Sequence, residues 1–497
     1  MRGGFQCMKL LIKNGRVQQN KHDQIYFTKK NIVIEDNMIT NIVDFDQPLE
    51  ENFDKVIDAK DSIVIPGLVN AHLHSSDHFN KGGFDNLPLE LWVPYLRPIF
   101  TGFDHSPDEI YLRTLLGAIE MIRTGTTAAI DDVVQFPALD DKNLDSIFKG
   151  YEKAGIRASI TSHLLNKPLY KTIPYTEELL EEDLKTKLDV DFASEDEMAS
   201  YMEDKLKKYN VDGAVQTYAL APSGPQRCSI ELMTRIKQLA EKYNVPAVSH
   251  VLETKVQEVT AREFYGMSMI EYLEKNDLLY PNLNLVHTVW ITDSDIERIK
   301  KYDAKVLHNP TSNLKLGSGV APIKKLLDAG ISVGIGTDNT SSNDSHNMFE
   351  LMKVTGLIHK VQTPDYRKWV GAKDALKMSQ IGGAQCALKD EEIGTIEVNK
   401  KADLVLLDTN NHRFIPENNI VNQLVFCENG SSVHTVIIDG EIVMEDKQIK
   451  TFDEVEVLEE VKGVMTKMFE ERNVAKSQAD KLFTTLEKAY FMSNEIQ

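Results

Sequence analysis

The chain has 497 residues, of which 42% are hydrophobic and 27% charged, and its 76 acidic and 56 basic side chains give a formal net charge of −20 at pH 7. These proportions predict a globular protein with a large core, and the acidic surplus argues against nucleic acid or an anionic membrane as a partner. The four scattered cysteines predict neither a disulfide framework nor a thiolate zinc site, and the lack of a secretory or membrane-length apolar segment predicts a cytoplasmic location.

Both ends of the chain have the alternating pattern of a β-sheet. The segments "KLLIKNGRV" and "NIVIEDNMITNIVDF" predict N-terminal strands, with a turn near Asp36–Asn37. The same pattern returns in "KADLVLLD" and "VHTVIIDGEIVMED", where Asp439–Gly440 is a tight-turn dipeptide. Because neither end has enough strands for a sheet of its own, residues 1–65 and 390–450 are predicted to form one small composite β-sandwich domain.

Between these ends, short apolar strands alternate with helical patterns. The candidate strands are "SIVIPGLVNAH", "TTAAIDD", "IRASITSH", "AVQTYALAP", "VPAVSHV", "LNLVHTV", "AKVLHNP" and "ISVGIGTD". Intervening stretches such as "DEIYLRTLLGAIEMIRTG" and "SIELMTRIKQLAEKYN" place apolar residues at helical spacing. This alternation predicts an α/β fold, a (β/α)₈ barrel of the TIM type over residues 66–389. An acidic helical insertion is expected over 165–210, and amphipathic helices form a C-terminal extension over 451–497.

The first barrel strand ends in "NAHLH", which places His72 and His74 one residue apart. Residues i and i+2 of a strand share a face, so both imidazoles point into one space. Alone, this pair is weak evidence for a metal site, because two histidines on an edge strand look the same. Chemistry in such a barrel lies at the carboxyl ends of the strands, so the ends of the later strands test the idea.

The later strands end in four further polar side chains, His250, His287, His308 and Asp338. A single strand-end histidine is most often a hydrogen-bonded core residue, but several imidazoles and a carboxylate are costly to bury together unless they bind a metal or one another. The proposed ligands of one Zn²⁺-like ion with a position open for water are His72, His74, His250 and Asp338. The fourth strand, "AVQTYALAPSGP", has no lysine to bridge a second metal, so one ion per chain is expected.

Glu253 follows His250 by three residues, a spacing that returns a carboxylate to the same mouth. A carboxylate there can carry protons between an activated water and a leaving nitrogen, although a charge at a helix N-terminus is an equally ordinary explanation. We favour the proton shuttle. His287 is then free to hydrogen-bond the developing oxygen, and Asp338 can accept the proton of the water. Three further residues either orient groups at the mouth or pack in the core: His308, His163 and Asn313. The other histidines considered, His105, His359, His412 and His434, are interpreted as structural.

These residues lie in motifs that resemble the mononuclear branch of the amidohydrolase superfamily, in the group that includes 8-oxoguanine deaminases, S-adenosylhomocysteine deaminases and s-triazine hydrolases. The matching motifs are "PGLVNAHLH", "SHVLET", "VHTVWI", "HNPTSNLKLGSGVAPI" and "GIGTDNTSSNDSHNMFELMK". The resemblance implies a (β/α)₈ barrel, one Zn²⁺ or sometimes Fe²⁺, a homodimer, and hydrolytic removal of an amino group or halide from a heterocycle.

Departures from the family pattern bear on the substrate. Nucleoside deaminases of this group have a glutamate directly before the tryptophan of the "LPL" segment, where "NLPLELW" has Leu91, and a strand-four histidine where "APSGP" has Ser223. Some relatives place glutamine three residues after the second histidine, where this chain has Asp77. An ionised aspartate only accepts hydrogen bonds, so Asp77 is expected to face N–H groups of a flat ring at the mouth, unless it caps a loop. Trp92 either supplies an apolar face for that ring or packs under the loop, and His308 is a further candidate contact.

The sequence therefore predicts a hydrolytic deaminase that acts on a small nitrogen-rich heterocycle of the purine, pyrimidine or triazine type, expected without a ribose, and releases ammonia. Within the same site, the alternatives are a hydrolase of cyclic amides or chlorinated heterocycles and a deaminase of S-adenosylhomocysteine or methylthioadenosine. An alternative of a different class is a barrel that has lost catalysis and serves for binding. The complete ligand set, together with Glu253 and His287, argues against it.

Overall fold

The computed structural model describes residues 8–21, 23–49, 52–102, 105–134 and 139–495. Its strands are β1 (Lys9–Lys21), β2 (Gln24–Glu35), β3 (Met38–Asp44), β4 (Lys55–Asp58), β5 (Ser62–Pro66), β6 (Leu68–Leu73), β7 (Thr126–Val134), β8 (Arg157–Leu164), β9 (Gln216–Tyr218), β10 (Ala221–Pro222), β11 (Ala247–Val251), β12 (Leu283–His287), β13 (Lys305–His308), β14 (Val333–Ile335), β15 (Leu404–Asp408), β16 (Val433–Ile438), β17 (Glu441–Glu445) and β18 (Gln448–Ile449).

Its α-helices are α1 (Leu89–Trp92), α2 (Pro107–Arg123), α3 (Asp141–Ala154), α4 (Thr176–Leu179), α5 (Glu182–Leu188), α6 (Glu195–Tyr209), α7 (Ile230–Tyr243), α8 (Lys255–Tyr265), α9 (Met269–Lys275), α10 (Asp293–Lys301), α11 (Pro310–Lys315), α12 (Ile323–Asp328), α13 (Met348–Ile358), α14 (Ala372–Lys377), α15 (Gly383–Cys386), α16 (Ile420–Phe426) and α17 (Glu454–Glu495). Short 3₁₀ turns lie at Ser75–Asn80, Val93–Tyr95, Leu169–Lys171, His359–Val361 and Tyr366–Lys368, and a π-helical turn at Met378–Gly382.

Strands from both ends of the chain form one nine-stranded sheet. The N-terminal strands β1, β2 and β3 pair antiparallel, and the turn predicted at Asp36–Asn37 joins β2 to β3. The two ends meet where β15 pairs antiparallel with β5, and β16 to β18 extend the sheet from there. Apolar side chains of strands from both ends, including Ile12, Ile34 and Leu404, share one buried cluster. The domain boundaries given above for this part of the chain remain a prediction.

The strands between these ends form parallel sheets of the α/β type, as predicted. One sheet has the order β10-β8-β7-β6, with β9 beside β8, and the other has the order β11-β12-β13-β14. Single parallel bridges connect the two sheets on both sides, between Leu220 and Ala247 and between Leu73 and Asp338. Because the strands and both bridges are parallel, the carboxyl ends of all these strands lie on the same side of the two sheets.

The segment predicted as the first barrel strand, residues 62–72, is divided at Gly67. Strand β5 pairs with β1 and β15, whereas β6 pairs with β7, so the chain passes from one sheet to the other at this point. A Cβ on Gly67 would lie 1.9 Å from Thr127 Oγ1, which explains why only glycine permits this close approach. Every residue of β5 and β6 is buried, so the apolar pattern is continuous across Gly67. Periodicity therefore could not predict that the segment forms two strands.

The two helices predicted from apolar spacing are confirmed as α2 and α7. Ser106 caps α2 in a capping box with Glu109, since each side chain accepts a hydrogen bond from the backbone N–H of the other residue. Ser229 caps α7 by accepting from Leu232 N. These caps set where each helix begins relative to the strand before it.

The predicted insertion over 165–210 is helical and contains α4, α5 and α6. The C-terminal segment is a single helix of 42 residues, α17, rather than several helices. Its residues Leu482 and Leu486 share a buried apolar cluster with Leu91 and Leu188, so α17 packs over both the insertion and the loop that carries Trp92. Among the described residues, no helix has the length and apolar content needed to cross a membrane.

A buried ion pair connects the barrel to the terminal sheet. Arg157, at the start of β8, donates from Nε to Asp403 Oδ2 (2.9 Å) and from Nη2 to Asp403 Oδ1 (3.0 Å). The same Nη2 donates to Asp439 Oδ1 at 2.9 Å, in the turn predicted between β16 and β17. Arg157 is only 3% exposed and Asp403 only 4%, so removing Arg157 leaves the buried carboxylate of Asp403 without its counter-charge, whereas the half-buried Asp439 keeps Lys401 beside it.

Arg157→Met should therefore lower the free energy of unfolding by about 3–5 kcal/mol, the usual cost of breaking a buried pair. The matched control is Arg123→Met, whose guanidinium pairs with Glu454 at the surface and should cost at most about 1 kcal/mol. Urea denaturation of both variants measures the difference, and equal small losses would contradict a structural role for the buried pair.

Candidate active site

The carboxyl ends of the strands bring together five of the predicted site residues: His72, His74, His250, His287 and Asp338. Ring nitrogens of the first three, His72, His74 and His250, all lie within 4.8 Å of one another. The Asp338 Oδ1 atom is 3.3 Å from His74 Nε2 and 3.6 Å from His72 Nε2. Three imidazoles and one carboxylate thus surround a single buried space, and these are donor types that divalent metals bind.

Backbone conformation helps to aim these side chains. His287 and Asp338 have φ values of 73° and 63°, and Leu252, next to Glu253, has 53°. All three are in the left-handed region, which is unfavourable for residues other than glycine. Such conformations at the ends of three strands turn the side chains inward, and the surrounding strands hold them in place.

The electrostatics of His72 and His250 suit a metal ligand. Both ring nitrogens of His72 are buried without a hydrogen-bond partner among the described residues. Burial and the neighbouring His74 lower the pKa of His72 to about 3, and burial with the charge of His72 lowers the pKa of His250 well below its usual range. Both imidazoles are therefore neutral at pH 7, with lone pairs free to bind a cation, and a bound ion would remove the cost of the unpartnered nitrogens.

His74 and Asp338 form the charged part of the cluster. Burial favours the neutral acid of Asp338, but the hydrogen bond from His74 and the charges of His287 and His72 hold its pKa well below the usual range. Burial also lowers the pKa of His74, yet Asp338 and Asp132 outweigh it and raise that pKa to about 9. A proton on His74 thus balances the buried carboxylate, and a divalent cation would supply the same compensation in its place.

Backbone carbonyls orient two of the imidazoles. His74 Nδ1 donates to Asp132 O at 2.6 Å, and His250 Nδ1 donates to Ser223 O at 3.0 Å. Each bond leaves Nε2 as the nitrogen that faces the cluster. Asp338 is held by hydrogen bonds from Ser312 Oγ to Oδ2 (2.7 Å) and from the following backbone N–H to Oδ1 (2.9 Å). The proposed ligands are therefore positioned by fixed partners before any ion binds.

Glu253 and His287 lie side by side next to this cluster. Glu253 Oε2 is 3.5 Å from His287 Nε2, which is in turn 3.9 Å from Asp338 Oδ2. Burial, with the charges of Asp338 and Glu90, raises the pKa of Glu253 well above its usual range. The His287 Nδ1 atom is bonded to Asn313 Oδ1 at 2.8 Å, which fixes the ring. This environment favours the protonated form of Glu253, which can act as an acid.

A cavity opens beside these groups. Its polar wall includes His74, His163, His250, Glu253, His287 and Asp338, and its apolar wall includes Leu89, Trp92, Val93 and Leu96. Trp92 is thus placed where the sequence expected an apolar face for a ring. Two guanidinium groups, Arg97 and Arg227, complete one side. The cavity combines a flat apolar surface with proton-transfer groups at one end, which suits a heteroaromatic substrate.

The structure does not bring Asp77, Ser223 or His308 to the lining of this cavity. Asp77 accepts hydrogen bonds from the backbone N–H and hydroxyl of Ser341 and from Asn80, as the loop-capping explanation requires. The Ser223 hydroxyl has no hydrogen-bond partner in the described ranges, and this residue acts through its carbonyl. His308 Nε2 lies 3.2 Å from Nε2 of His359 in the core. Substrate-binding roles for these residues remain predictions.

Sequence reasoning missed Asp132, which lies near the carboxyl end of strand β7. Its Oδ2 accepts from His163 Nδ1 at 2.8 Å and its Oδ1 from Thr161 Oγ1 at 2.9 Å. With His163 and His250 it forms a second group of possible metal ligands. The signal was present in "AIDDVV", since two adjacent acids in an otherwise apolar strand are costly to bury without partners.

A family model described as Amidohydrolase family matches residues 63–443. The chain belongs to the amidohydrolase family. It is a hydrolase that acts on carbon–nitrogen bonds other than peptide bonds, as the resemblance of its motifs implied.

Two curated relatives match this amidohydrolase along nearly its whole length. It is 33% identical to a 5′-deoxyadenosine deaminase of Methanobrevibacter smithii, covering 89% of this chain and 94% of that protein. It is 34% identical to a 5-methylthioadenosine/S-adenosylhomocysteine deaminase of Thermoanaerobacter pseudethanolicus, and the alignment covers 90% of this chain and 96% of that protein. Among solved structures, an adenosine deaminase of Xanthomonas campestris with bound zinc superposes with a TM-score of 0.81 at 24% identity, covering 93% of this chain and 98% of that one.

If the strand-end cluster is the metal site, His72→Ala or Asp338→Ala should abolish tightly bound metal, because each removes one of the four proposed ligands. Metal analysis of the purified protein should give one transition-metal ion per chain in the wild type. His434→Ala is the matched control, since this histidine bonds Ser62 away from the cluster and should leave the metal content unchanged. Full metal content in the two ligand variants would show that the ion binds elsewhere.

Proposed function

We propose that this amidohydrolase is a metal-dependent deaminase of adenine nucleosides that are modified at the 5′ position. The observation that carries the proposal is the match, at 33–34% identity over about nine-tenths of the chain, to deaminases of 5′-deoxyadenosine and of 5-methylthioadenosine/S-adenosylhomocysteine. This match favours the nucleoside alternative among those that the sequence left open. The proposal departs from the substrate expected from the sequence, a small heterocycle without a ribose, because these nucleosides contain a ribose.

The residues that would hold the metal are His72, His74, His250 and Asp338, and the unpartnered nitrogens of His72 fit this role. When bound, a divalent metal supplies Lewis-acid activation of a water molecule at neutral pH. The carboxylate of Asp338, which stays ionised in the cluster, can accept a proton from an attacking water. No second proton acceptor is then needed at this step.

Glu253 is the group suited to deliver protons to the substrate. Its raised pKa favours the carboxylic acid, which can donate its proton to a ring nitrogen; the carboxylate so formed can then take the proton of the hydroxyl added at the attacked carbon and pass it to the departing amine. His287 Nδ1 donates to Asn313 Oδ1, so in the neutral ring Nε2, 3.5 Å from Glu253 Oε2, can accept a hydrogen bond from the hydroxyl that forms at the attacked carbon. Such a preorganised contact is worth roughly 3 kcal/mol of transition-state stabilisation.

The carboxylate of Glu90 weakens one sequence-based argument against a ribose in the substrate, the absence of a glutamate at position 91. The glutamate expected at position 91 is a leucine that packs against α17, but the carboxylate of Glu90 lies one residue earlier. Its Oε1 accepts from Thr254 Oγ1 at 2.5 Å, while its buried Oε2 has no hydrogen-bond partner in the described part of the chain. Its charge also raises the pKa of Glu253, so the two carboxyl groups are close enough to interact. Its unpartnered oxygen has the capacity to accept from a ribose hydroxyl, although Glu90 is not among the residues that line the cavity.

The proposal is tested by ammonia release from a panel of adenine, 5′-deoxyadenosine, 5′-methylthioadenosine, guanine and a chlorinated triazine. We expect the two nucleosides to have kcat/KM values at least about tenfold above that of adenine, since a good hydrogen bond to a charged group contributes roughly 1.5–3 kcal/mol. A higher kcat/KM for adenine, guanine or the triazine would contradict the nucleoside assignment.

Glu253→Gln should lower kcat by about 10²–10⁴-fold with the metal retained, because an amide cannot donate and recover a proton in the reaction. The matched control is Glu258→Gln. Glu258 lies on helix α8 and pairs with Lys255 and Arg262, so this variant should keep the wild-type kcat. Steady-state rates and metal content are measured on the same samples. Near-normal turnover in the Glu253 variant would show that Glu253 is a charge at the start of helix α8 and does not transfer protons.

A further inference from the structure

The loop between strand β14 and helix α13, residues 336–347, carries the proposed metal ligand Asp338. Asp338 has a φ of 63°, in the left-handed region. A residue other than glycine keeps such a conformation only when its surroundings hold it in place. The contacts that hold this loop therefore also determine where the carboxylate of Asp338 lies.

The side chain of Asp77 joins this loop to the segment that follows His74. Asp77 Oδ2 accepts hydrogen bonds from Ser341 N at 3.1 Å and from the Ser341 hydroxyl, and its Oδ1 accepts from Asn80 Nδ2 at 2.5 Å. Thr340 Oγ1 also donates to the Asp77 carbonyl at 2.7 Å. Asp77 is buried and lies three residues after His74. One buried carboxylate thus connects the loops beside two of the proposed metal ligands.

Two serine hydroxyls extend this connection to Asp338. Ser342 follows Ser341, and the hydroxyls of Ser342 and Ser312 are hydrogen-bonded to each other at 2.9 Å. Ser312 Oγ in turn donates to Asp338 Oδ2 at 2.7 Å. Both Ser312 and Ser342 are buried, so water does not compete with these bonds. A displacement of residues 341 and 342 would therefore move the carboxylate of Asp338.

Helix α17 supports the opposite end of this network. Arg472 Nη2 donates to Phe79 O at 3.0 Å and to Asn80 Oδ1 at 3.1 Å. Because a guanidinium only donates hydrogen bonds, the amide oxygen of Asn80 must face Arg472, and the amide NH₂ is left to face Asp77. The hydrogen bonds thus run from α17 through Asn80 and Asp77 to the loop that carries Asp338.

We propose that Asp77 is a positioning residue of the candidate active site, which holds the loop after β14 so that Asp338 stays at its ligand position. Asp77 is not among the residues that line the cavity, so it acts without contacting the substrate. The inference rests on the metal site that the proposed function requires. Its test therefore measures the metal separately from turnover.

The test compares the wild type with Asp77→Asn, in which an amide NH₂ must face one of the donors that the carboxylate accepts. Two properties of the purified, metal-loaded enzyme are measured: the rate at which a chelator removes the metal, and kcat and KM for ammonia release from 5′-deoxyadenosine. We expect metal loss about tenfold faster and a kcat about tenfold lower, as is usual when a partner that orients a metal ligand is lost. KM should stay within about twofold of the wild-type value, because Asp77 does not line the cavity.

The matched control is Asp295→Asn. Asp295 is also a buried carboxylate that accepts from one backbone N–H and two hydroxyls, those of Thr292 and Ser268, but it lies on helix α10. Thermal unfolding should show that both variants lose stability. Only Asp77→Asn should also change metal loss and kcat, since Asp295 has no contact with the ligand loops among the described residues.

The double variant Asp77→Asn/Ser341→Ala tests the route through Ser341. If Asp77 acts by holding Ser341, the second change should add less than about twofold to the loss of kcat, because effects within one network are not additive. Losses that multiply would overturn this route and with it the inference.

Three further results would overturn the inference alone: wild-type metal loss and kcat in Asp77→Asn, equal changes in Asp295→Asn, or a raised KM at unchanged kcat, which would make Asp77 a substrate contact. Each of these results leaves the proposed deaminase function standing. Wild-type protein that holds no metal would instead overturn the proposed metal site and this inference together.

Discussion

The contact between Asp338 and the end of strand β6 is the constraint on which the site depends. Asp338 N donates to His72 O at 2.9 Å, and this hydrogen bond belongs to the bridge that connects strands β14 and β6. The same residue presents its carboxylate to His72 and His74. The junction of the two parallel sheets and the centre of the candidate site are therefore one structure, so a displacement of either sheet would also separate the proposed ligands.

The cost of burying charge explains much of the rest. The buried carboxylate of Asp338 is stable only with a positive charge beside it. That charge is either a proton on a neighbouring imidazole or a bound cation, and the protonation of the imidazoles depends on which of the two is present. Further out, burial raises the pKa of Glu253, and the negative charge of Asp338 adds to the effect. One buried anion thus sets the protonation of its neighbours, which is the condition for moving protons between a water and a substrate nitrogen.

The meeting of these residues was predictable from the sequence. Parallel strands of a barrel end on one face, so polar residues at the ends of apolar strands, such as His250 and Asp338, had to converge. The conformations of the loops were not predictable, because apolar periodicity does not determine them. Asp77 is bonded to Ser341 instead of facing the cavity, and the carboxylate before Trp92 belongs to Glu90, bonded to Thr254, rather than to residue 91. The single long helix α17 likewise depends on long-range packing that no local pattern records.

The most direct test of a metal site at the strand ends is anomalous X-ray diffraction at the zinc and iron absorption edges from crystals of the purified protein. The account predicts one anomalous peak per chain, lying between the side chains of His72, His74, His250 and Asp338. A peak displaced to the neighbouring Asp132–His163 pair, or no peak at either edge in enzyme that still deaminates its substrate, would contradict it.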